Sequence, residues 1–231
     1  MSPTPEQTLS GLWERIKEDW ESHGRDPWSP GFRAMVVYRF GVWRMGVGSL
    51  AARAPLSVLY RMLYRKVRDR YGIEIPFTAR IGRRVVFEHQ HGIVVHGLAE
   101  IGDDCVIRQG VTLGNRQIGR PYDAPRLGRR VNVGAGAMLL GAIQIGDDAQ
   151  IGANAVVCDD LPAGAVAIGV PARVVRINDT QVTPNGGATS DHGTPGATNG
   201  GAARNGGGRP ELTAEAPEQP ASGRARAIPD A

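Results

Sequence analysis

An aliphatic or aromatic residue returns every six positions through the middle of this 231-residue chain, and this period constrains the fold more than any other feature. The markers are Ile81, Phe87, Ile93, Ile101, Ile107, Leu113, Leu127, Val133, Leu139, Ile145, Ile151 and Val157. A period of six fits neither the 3.6 residues of an α-helical turn nor the alternation of an amphipathic strand. It is typical of a parallel β-helix, in which successive coils stack aliphatic side chains into columns. Chance spacing is a poor explanation, because consecutive markers keep the register from 127 to 157.

The six-residue period breaks at two places. We place two extra residues between Ile93 and Ile101, and a longer insertion between Leu113 and Leu127. The insertion at 115–126 is polar and rich in arginine. A loop on a rigid scaffold often carries function, although a tolerated surface insertion is equally compatible with the pattern. The insertion is therefore a candidate part of a functional site.

Helical periodicity precedes the hexapeptide region. Two apolar stripes of helical spacing lie before residue 45, and a third helix is predicted to open at Pro55. We predict a small α-helical region at 1–72, a mainly β domain at 73–178 and a Gly/Pro/Ala-rich tail at 179–231. The tail has too few large apolar residues to offset the entropy of ordering, so we predict that it is disordered.

Charge and cysteine content narrow the class of protein. The formal net charge is +4 and the basic residues form no long run, so no nucleic-acid partner is predicted. Cys105 and Cys158 give no disulfide framework, which favours reduced thiols in the cytoplasm. The N-terminus lacks the pattern of a signal peptide, and no segment has the roughly 20 apolar residues that span a bilayer. We predict a cytoplasmic protein without a membrane partner.

Three of the five histidines, His89, His91 and His96, lie within eight residues. Glu74 precedes His89 by about one coil, since three hexapeptides make a coil of about 18 residues. The two side chains are therefore expected to approach each other across neighbouring coils. A carboxylate that fixes the imidazole tautomer makes His89 a candidate general base near neutral pH. Three surface histidines on a polar turn are the alternative.

A metal site is a further alternative for the same histidines. The γ-class carbonic anhydrases share the hexapeptide architecture and bind metal through histidines. A catalytic zinc usually takes three protein ligands, whereas His91 and His96 supply two. The nearest earlier histidine is His23 in the helical region, and His89 shares the same turn. We predict no metal site.

Several segments resemble the serine acetyltransferase family. They are Gly72-Ile-Glu-Ile75, Ile81-Gly-Arg-Arg84, Glu88-His-Gln-His-Gly-Ile-Val-Val95, Gln109-Gly-Val-Thr-Leu-Gly114, Gly134-Ala-Gly-Ala137, Ile151-Gly-Ala-Asn-Ala155 and Gly169-Val-Pro-Ala-Arg173. Lys17-Glu-Asp19, Arg25-Asp-Pro27 and Gly31-Phe-Arg-Ala34 resemble the family's N-terminal region. The resemblance covers about residues 10–176. It implies a left-handed parallel β-helix of hexapeptide repeats behind a small helical region.

The resemblance also implies a reaction, the direct transfer of an acetyl group from acetyl-CoA to the hydroxyl of L-serine in cysteine biosynthesis. The family's catalytic pair falls on Glu74 and His89, with His89 as the base. Glu88 would contact the substrate amine, and Asp19 would reach the acceptor from the helical region. The coenzyme A strip would consist of small residues and one arginine near the nucleotide. These are Gly114, Ala135, Gly136, Ala153 and Arg173.

The insertion loop departs from the family pattern. The family has Arg-His-Pro there, and its arginine binds the serine carboxylate, whereas this chain has Asp123-Ala124-Pro125. Arg120 and Arg126 are the candidates to bind that carboxylate instead. His96-Gly97 stands where the family has Gly-Glu. The changes fall on the acceptor side of the expected site, so acetyl transfer is better supported than serine as the acceptor.

Two other functions fit the sequence. The first is acetyl transfer to a sugar hydroxyl in polysaccharide assembly. The second is a non-catalytic role as partner in a cysteine-synthase-like complex, which in the family uses a C-terminal isoleucine; this chain ends Ile228-Pro-Asp-Ala231. The resemblance further implies a homotrimer with active sites between subunits, or a dimer of trimers joined by the helical region.

Overall fold

Three α-helices come first in the chain, and a side chain caps the start of each. This computed structural model describes residues 5–178, 180–182 and 188–189. The helices are α1 (Leu9–Ser22), α2 (Pro30–Trp43) and α3 (Leu50–Tyr71), with short 3-10 turns at Pro5–Gln7 and Arg44–Gly46. The hydroxyls of Thr8, Ser29 and Ser49 each accept a hydrogen bond from the backbone N–H three residues later. Each cap satisfies one of the donors left free at a helix N-terminus.

The third helix begins earlier than predicted. Leu50 is its first residue because Ser49 provides the cap, and Pro55 lies inside the helix. The prediction that Pro55 opens α3 was therefore wrong. A proline in the second turn removes one backbone donor, and this helix keeps its length despite that loss. Gly72 ends it with a left-handed φ of 62°, a conformation that glycine adopts without the steric cost of a Cβ atom.

The chain after α3 consists of short strands that visit three sheets in turn. The strands are β1 (Ile73–Glu74), β2 (Arg80–Ile81), β3 (Val86–Phe87), β4 (Ile93–Val95), β5 (Glu100–Ile101), β6 (Val106–Ile107), β7 (Thr112–Gly114), β8 (Arg126–Leu127), β9 (Asn132–Val133), β10 (Met138–Leu140), β11 (Gln144–Ile145), β12 (Gln150–Ile151), β13 (Val156–Val157), β14 (Ala165–Ile168), β15 (Arg173–Ile177), β16 (Thr180–Val182) and β17 (Ala188–Thr189). Sheet A holds β1, β4, β7, β10 and β13; sheet B holds β2, β5, β8 and β11; sheet C begins β3, β6, β9, β12, β14.

Neighbouring strands from β1 to β14 in these sheets are parallel, and each strand from β1 to β10 pairs with the strand three places further along the chain. The chain therefore completes one coil for every three strands. Sheet A ends with β13. Sheet B ends with β11, whose Ile145 forms a single bridge to Leu161. The predicted mainly β region is thus a stack of coils bounded by three parallel sheets.

The predicted hexapeptide markers are all buried, which confirms the meaning of the period. In sheet B, register pairing stacks Ile81, Ile101, Leu127 and Ile145. In sheet C, it stacks Phe87, Ile107, Val133 and Ile151. Each coil adds one apolar rung to each column, so burial of these side chains stabilises coil against coil.

The two extra residues of the first coil lie before Val95, not after Ile93 as predicted. Phe87 pairs with Ile107, twenty positions later, whereas Val94 pairs with Thr112, eighteen positions later. The surplus therefore falls in the turn that joins β3 to β4, which contains the histidines. The prediction was wrong because Ile93 and Val95 are both buried, so the apolar pattern alone does not choose between them.

The last coil is followed by antiparallel strands. β15 pairs with β14, β16 with β15 and β17 with β16. Residues 180–182 and 188–189, which fall in the tail predicted to be disordered, form the short strands β16 and β17. The rest of the predicted tail, including Ile228, lies outside the described residues. In the described part of the chain, no helix has the length and apolar character of a membrane span.

Side chains of the helical region bind the open edge of the first coil. The Tyr38 hydroxyl donates to the Ala79 carbonyl at 2.9 Å and accepts from the Ile81 N–H at 3.1 Å. The Arg39 guanidinium donates to the carbonyls of Ile81 and Gly82 at 3.0 and 2.6 Å. The carbonyls of Ala79 and Ile81 are equivalent to those of Ala99 and Ile101, which accept hydrogen bonds from the preceding coil. The helical region thus satisfies the polar edge of the stack.

Asp19 holds Arg39 in place. The Asp19 side chain is fully buried, and its oxygens lie 2.9 and 3.3 Å from Arg39 Nε and Nη2. Arg39 is also buried, with only 4% of its surface exposed. The predicted role of Asp19 in reaching the acceptor is therefore wrong for this structure, since its carboxylate is inaccessible and already paired. Asp19 instead positions the arginine that caps the first coil.

His23 is the third link between helices and coil. Its Nδ1 lies 2.6 Å from the Asp19 carbonyl and its Nε2 accepts from the Phe87 N–H at 3.3 Å. Nδ1 must therefore carry the proton, and the ring binds both groups as the neutral tautomer. Burial lowers the pKa of His23 below its ordinary value of 6.5, and the hydrogen bond to Asp19 offsets this only in part. The neutral ring is the form that fits the fold.

Stability is expected to fall as the pH drops below about 6.5, in part through His23. Because the folded-state pKa is lowered, the unfolded chain binds this proton at a higher pH than the folded chain does, and linkage then favours unfolding. His23→Gln, which keeps an acceptor for Phe87, should flatten the change in melting temperature between pH 7.5 and 5.5. His96→Gln is the control and should leave the slope unchanged. Equal slopes in wild type and His23→Gln would contradict this role.

Candidate active site

His89 lies in the turn between β3 and β4. This turn belongs to the C–A corner, which we define as the turns that join sheet C to sheet A, at 88–92, 108–111, 134–137 and 152–155. His89 and His91 both adopt left-handed backbone conformations, with φ of 66° and 76°. The His91 N–H donates to the Tyr71 carbonyl at 2.7 Å, and the His91 carbonyl accepts from Gly110 at 3.0 Å. The turn is thus fixed from the coils on both sides, and the exposed His89 side chain is presented outward.

Glu74 lies in the first strand of sheet A, one coil away from this turn. Its Oε1 accepts a hydrogen bond from the Tyr64 hydroxyl at 3.3 Å. Burial raises the pKa of Tyr64, and the Glu74 charge adds to the rise, so the phenol stays a donor. Within residues 5–178, no hydrogen bond joins Glu74 to His89. The structure therefore places the predicted pair on neighbouring coils without a hydrogen bond or ion pair between them.

Glu88 is paired with an arginine that the sequence analysis did not select. Arg108 Nε lies 2.9 Å from Glu88 Oε2, and Arg108 Nη1 donates to Asn132 Oδ1. Glu88 and Arg108 retain 40% and 34% of their side-chain exposure. The three residues come from three successive coils of sheet C. A half-exposed ion pair thus adjoins His89, which follows Glu88 in the chain.

A column of small residues continues the same corner below His89. The Gly136 N–H donates to the Gln109 carbonyl and the Asn154 N–H to the Ala135 carbonyl, both at 2.8 Å. A Cβ atom on Gly110 would lie 3.2 Å from Gly136 Cα, so the coils approach too closely for larger residues. Gly110 and Gly136 also need positive φ values of 74° and 72°. The corner is therefore a narrow strip of exposed backbone.

Three of the predicted coenzyme A residues, Ala135, Gly136 and Ala153, share this strip with His89. Gly114 does not, because it ends β7 and accepts from the Gly141 N–H at 2.9 Å on the opposite edge of sheet A. Arg173 begins the antiparallel strand β15, and its guanidinium donates to the Ala172 carbonyl. Within one chain the predicted binding residues thus occupy two edges of sheet A and the end of the stack.

The insertion loop lies at the edge of sheet A away from His89, between β7 and β8. Arg120 Nη1 is 3.9 Å from Asp123 Oδ2, and Arg126 Nε is 3.9 Å from Glu100 Oε1. A cavity of about 450 Å³ beneath the loop is lined by Arg116, Arg120, Asp123 and Cys158 among others. The structure does not bring the loop arginines to His89 of the same chain.

Arg108 and Tyr64 are the residues that the sequence analysis missed. Arg108 contacts Glu88 because the two residues are twenty positions apart, the spacing at which Phe87 pairs with Ile107. Tyr64 lies in α3 and hydrogen-bonds to Glu74, which follows the end of that helix. The one available signal for Arg108 was its position directly after Ile107, a marker stacked on Phe87. In the part of the chain that the structure describes, no group of three or more His, Cys, Asp or Glu side chains is placed to hold a metal ion.

Stacked parallel coils with an exposed histidine beside a strip of small residues are features of the hexapeptide acyltransferases that the sequence resembles. No family model matches the chain. Serine acetyltransferase of Helicobacter pylori (strain J99) is 39% identical over 172 residues, which cover 72% of this chain and 96% of that protein. The Mycobacterium tuberculosis enzyme of the same name is 40% identical over 158 residues, 68% of this chain and 65% of its own. This chain belongs to the serine acetyltransferase family.

Solved structures agree with this assignment. The Neisseria gonorrhoeae serine acetyltransferase structure aligns with a TM-score of 0.64 at 28% identity, over 78% of this chain and 71% of that one. The Brucella abortus serine acetyltransferase in complex with coenzyme A aligns with a TM-score of 0.62 at 26% identity, over 72% and 68%. The helices followed by parallel sheets are therefore the fold of this family.

Proposed function

We propose that this protein is a serine O-acetyltransferase that converts L-serine and acetyl-CoA to O-acetyl-L-serine and CoA for cysteine biosynthesis. The observation that carries the proposal is the 39% identity over nearly the full length of the Helicobacter pylori enzyme. The Glu88-His89 turn, held between the coils on either side, supports the proposal because it presents an exposed imidazole as a candidate base.

His89 is the proposed general base. Its imidazole takes the proton from the serine hydroxyl as that oxygen forms a bond to the thioester carbonyl carbon. The carbon–sulfur bond then breaks, and the proton passes from the imidazolium to the CoA sulfur. Glu74 is the proposed partner that stabilises the imidazolium. Tyr64 holds one of its carboxylate oxygens and leaves the other for this role.

The exposed strip at the C–A corner is the proposed site of the CoA arm. Ala135, Gly136 and Ala153 would let the pantetheine chain lie against the coil backbone, with Gly114 and Arg173 as further contacts. The stacking of Gly110 on Gly136 supports this assignment because neither residue carries a side chain at this part of the corner. The coenzyme A complex of the Brucella abortus enzyme shows that a relative binds this molecule.

We further propose that the stack is a left-handed β-helix and that three chains form the active unit, or six as a dimer of trimers. In one chain, His89 and the insertion loop lie on opposite edges of sheet A. A neighbour packed on this sheet would bring its loop and Gly114 to His89. Val94 and Met138, which are 40% and 43% exposed on sheet A, support such a contact. Cytoplasmic location is supported by the free thiols of Cys105 and Cys158.

A cysteine synthase remains a proposed partner, although the C-terminal residues 228–231 on which that docking depends lie outside the described residues. Acetyl transfer to a sugar hydroxyl is the second candidate activity. It is favoured by Asp123 and Ala124, which stand where the family has a carboxylate-binding arginine and a histidine.

Free-thiol release from acetyl-CoA tests the proposal. We expect release that depends on L-serine, with O-acetylserine as the product seen by mass spectrometry. A panel of sugars and a reaction without acceptor provide the controls and should give only background hydrolysis. Turnover with a sugar and none with serine would replace the first activity with the second. No acceptor-dependent release with either would favour the binding-partner role.

A further inference from the structure

We infer that Arg108 determines acceptor specificity by binding the carboxylate of an α-amino acid whose ammonium group binds Glu88. This assignment rests on the proposed function, because it concerns the acceptor of the same site. The two side chains form one ion pair, 2.9 Å apart, on adjacent coils. They adjoin the candidate base, since His89 follows Glu88 directly.

The charges of the pair match those of a zwitterion. An α-amino acid carries its ammonium and carboxylate groups on the same carbon, so a single molecule reaches two side chains that already lie within contact distance. Glu88 and Arg108 are both about one-third or more exposed, so a ligand can approach them. Charge-assisted hydrogen bonds of this kind are the stronger ones in proteins. A hydroxyl on the next carbon would then lie towards His89.

Both side chains keep unused polar atoms. Arg108 uses Nε for Glu88 and Nη1 for Asn132. Among the hydrogen bonds of residues 5–178, none involves Arg108 Nη2 or Glu88 Oε1. The Asn132 contact fixes the guanidinium from the coil below, so Nη2 is oriented before a ligand arrives. One free donor and one free acceptor are what a carboxylate and an ammonium require.

The other arginines of the acceptor side are less suited within the chain. Arg120 is 70% exposed beside Asp123, whose charge opposes a second carboxylate. Arg126 is 66% exposed on sheet B and faces Glu100. Arg108 is the arginine that is both anchored and adjacent to the His89 turn in the described chain. It supplies the positive charge that Asp123-Ala124 does not.

Direct binding tests this assignment independently of turnover. Calorimetric titration of the full chain with L-serine and with serinamide, which keeps the ammonium and hydroxyl but lacks the carboxylate, compares the two ligands. We expect wild type to prefer serine, and Arg108→Leu to weaken serine binding about tenfold to a hundredfold while serinamide is little affected. Arg108→Lys should recover part of the loss. In steady-state kinetics the KM for serine should rise, with kcat and the KM for acetyl-CoA nearly unchanged.

Arg129→Leu is the matched control. Arg129 also pairs with a carboxylate of an adjacent coil at 2.9 Å, that of Asp147, but at another corner of the stack. It should leave serine binding unchanged. Equal serine affinity in wild type and Arg108→Leu, an equal loss in Arg129→Leu, or no serine binding by wild type would each overturn the assignment. Serine binding that depends on Arg108 but leads to no acetyl transfer would contradict the proposed function and leave the assignment standing.

Discussion

Replacing His89 with asparagine is expected to lower kcat for serine acetylation by about two to four orders of magnitude, the usual contribution of a positioned general base. Asparagine suits the left-handed backbone at this position, where φ is 66°, so the turn should keep its shape. The amide cannot accept a proton at neutral pH. The measurement is thiol release at saturating serine and acetyl-CoA.

His91→Asn is the matched control for this experiment. His91 is exposed in the same turn and has the same backbone conformation, with φ of 76°. Its turnover should stay within a few-fold of wild type, and the melting temperatures of both variants should be close to that of the wild type. A loss as large in His91→Asn, or full activity in His89→Asn, would remove His89 from the role of base.

Asp19→Ala is expected to destabilise the protein by about 3–5 kcal/mol, the cost of leaving one charge of a buried pair without its partner. Arg39 would lose its carboxylate while 4% exposed, and the carbonyls of Ile81 and Gly82 depend on its orientation. The measurement is chemical denaturation at one fixed protein concentration, because an oligomer's apparent stability depends on concentration.

Glu14→Ala provides the comparison on the same helix. Glu14 is 66% exposed and pairs with Arg83 at 3.2 Å, and an exposed ion pair contributes about 0–1 kcal/mol. If Asp19→Ala were as stable as Glu14→Ala and raised the KM for serine, the structural role would be contradicted, and Asp19 would instead contact the acceptor.

The hexapeptide period was sufficient to predict which side chains form the core, because one aliphatic residue per six is needed in every coil. It was not sufficient to fix the register at the histidine turn. Ile93 and Val95 are both buried, and only the pairing of Val94 with Thr112 shows where the extra residues lie. The strand pairing that decides this is a long-range property, which a local pattern does not contain.

The site residues divide in a similar way. His89 and the small residues of the C–A corner were selected because their motifs are local, and their roles stay predictions. Asp19 was misassigned because a charged residue on an amphipathic helix gives no sign of complete burial, which depends here on Arg39 twenty residues later. Arg108 was overlooked because the residues that follow the stacked markers Phe87 and Ile107 were not compared as a cross-coil pair.

The bonds from Tyr38, Arg39 and His23 to the first coil bear on how such a stack avoids growing without limit. The first coil of a stack has unpaired backbone N–H and C=O groups at its top, whereas inner coils pair these groups with the coil before them. Such unpaired edges can hydrogen-bond to further chains. Here the top edge is occupied by side chains of the helices. At the other end, β14 turns into an antiparallel neighbour from its own chain. The helical region therefore covers backbone groups at one end of the stack, and β15 covers sheet C at the other, which disfavours the addition of further chains at these edges.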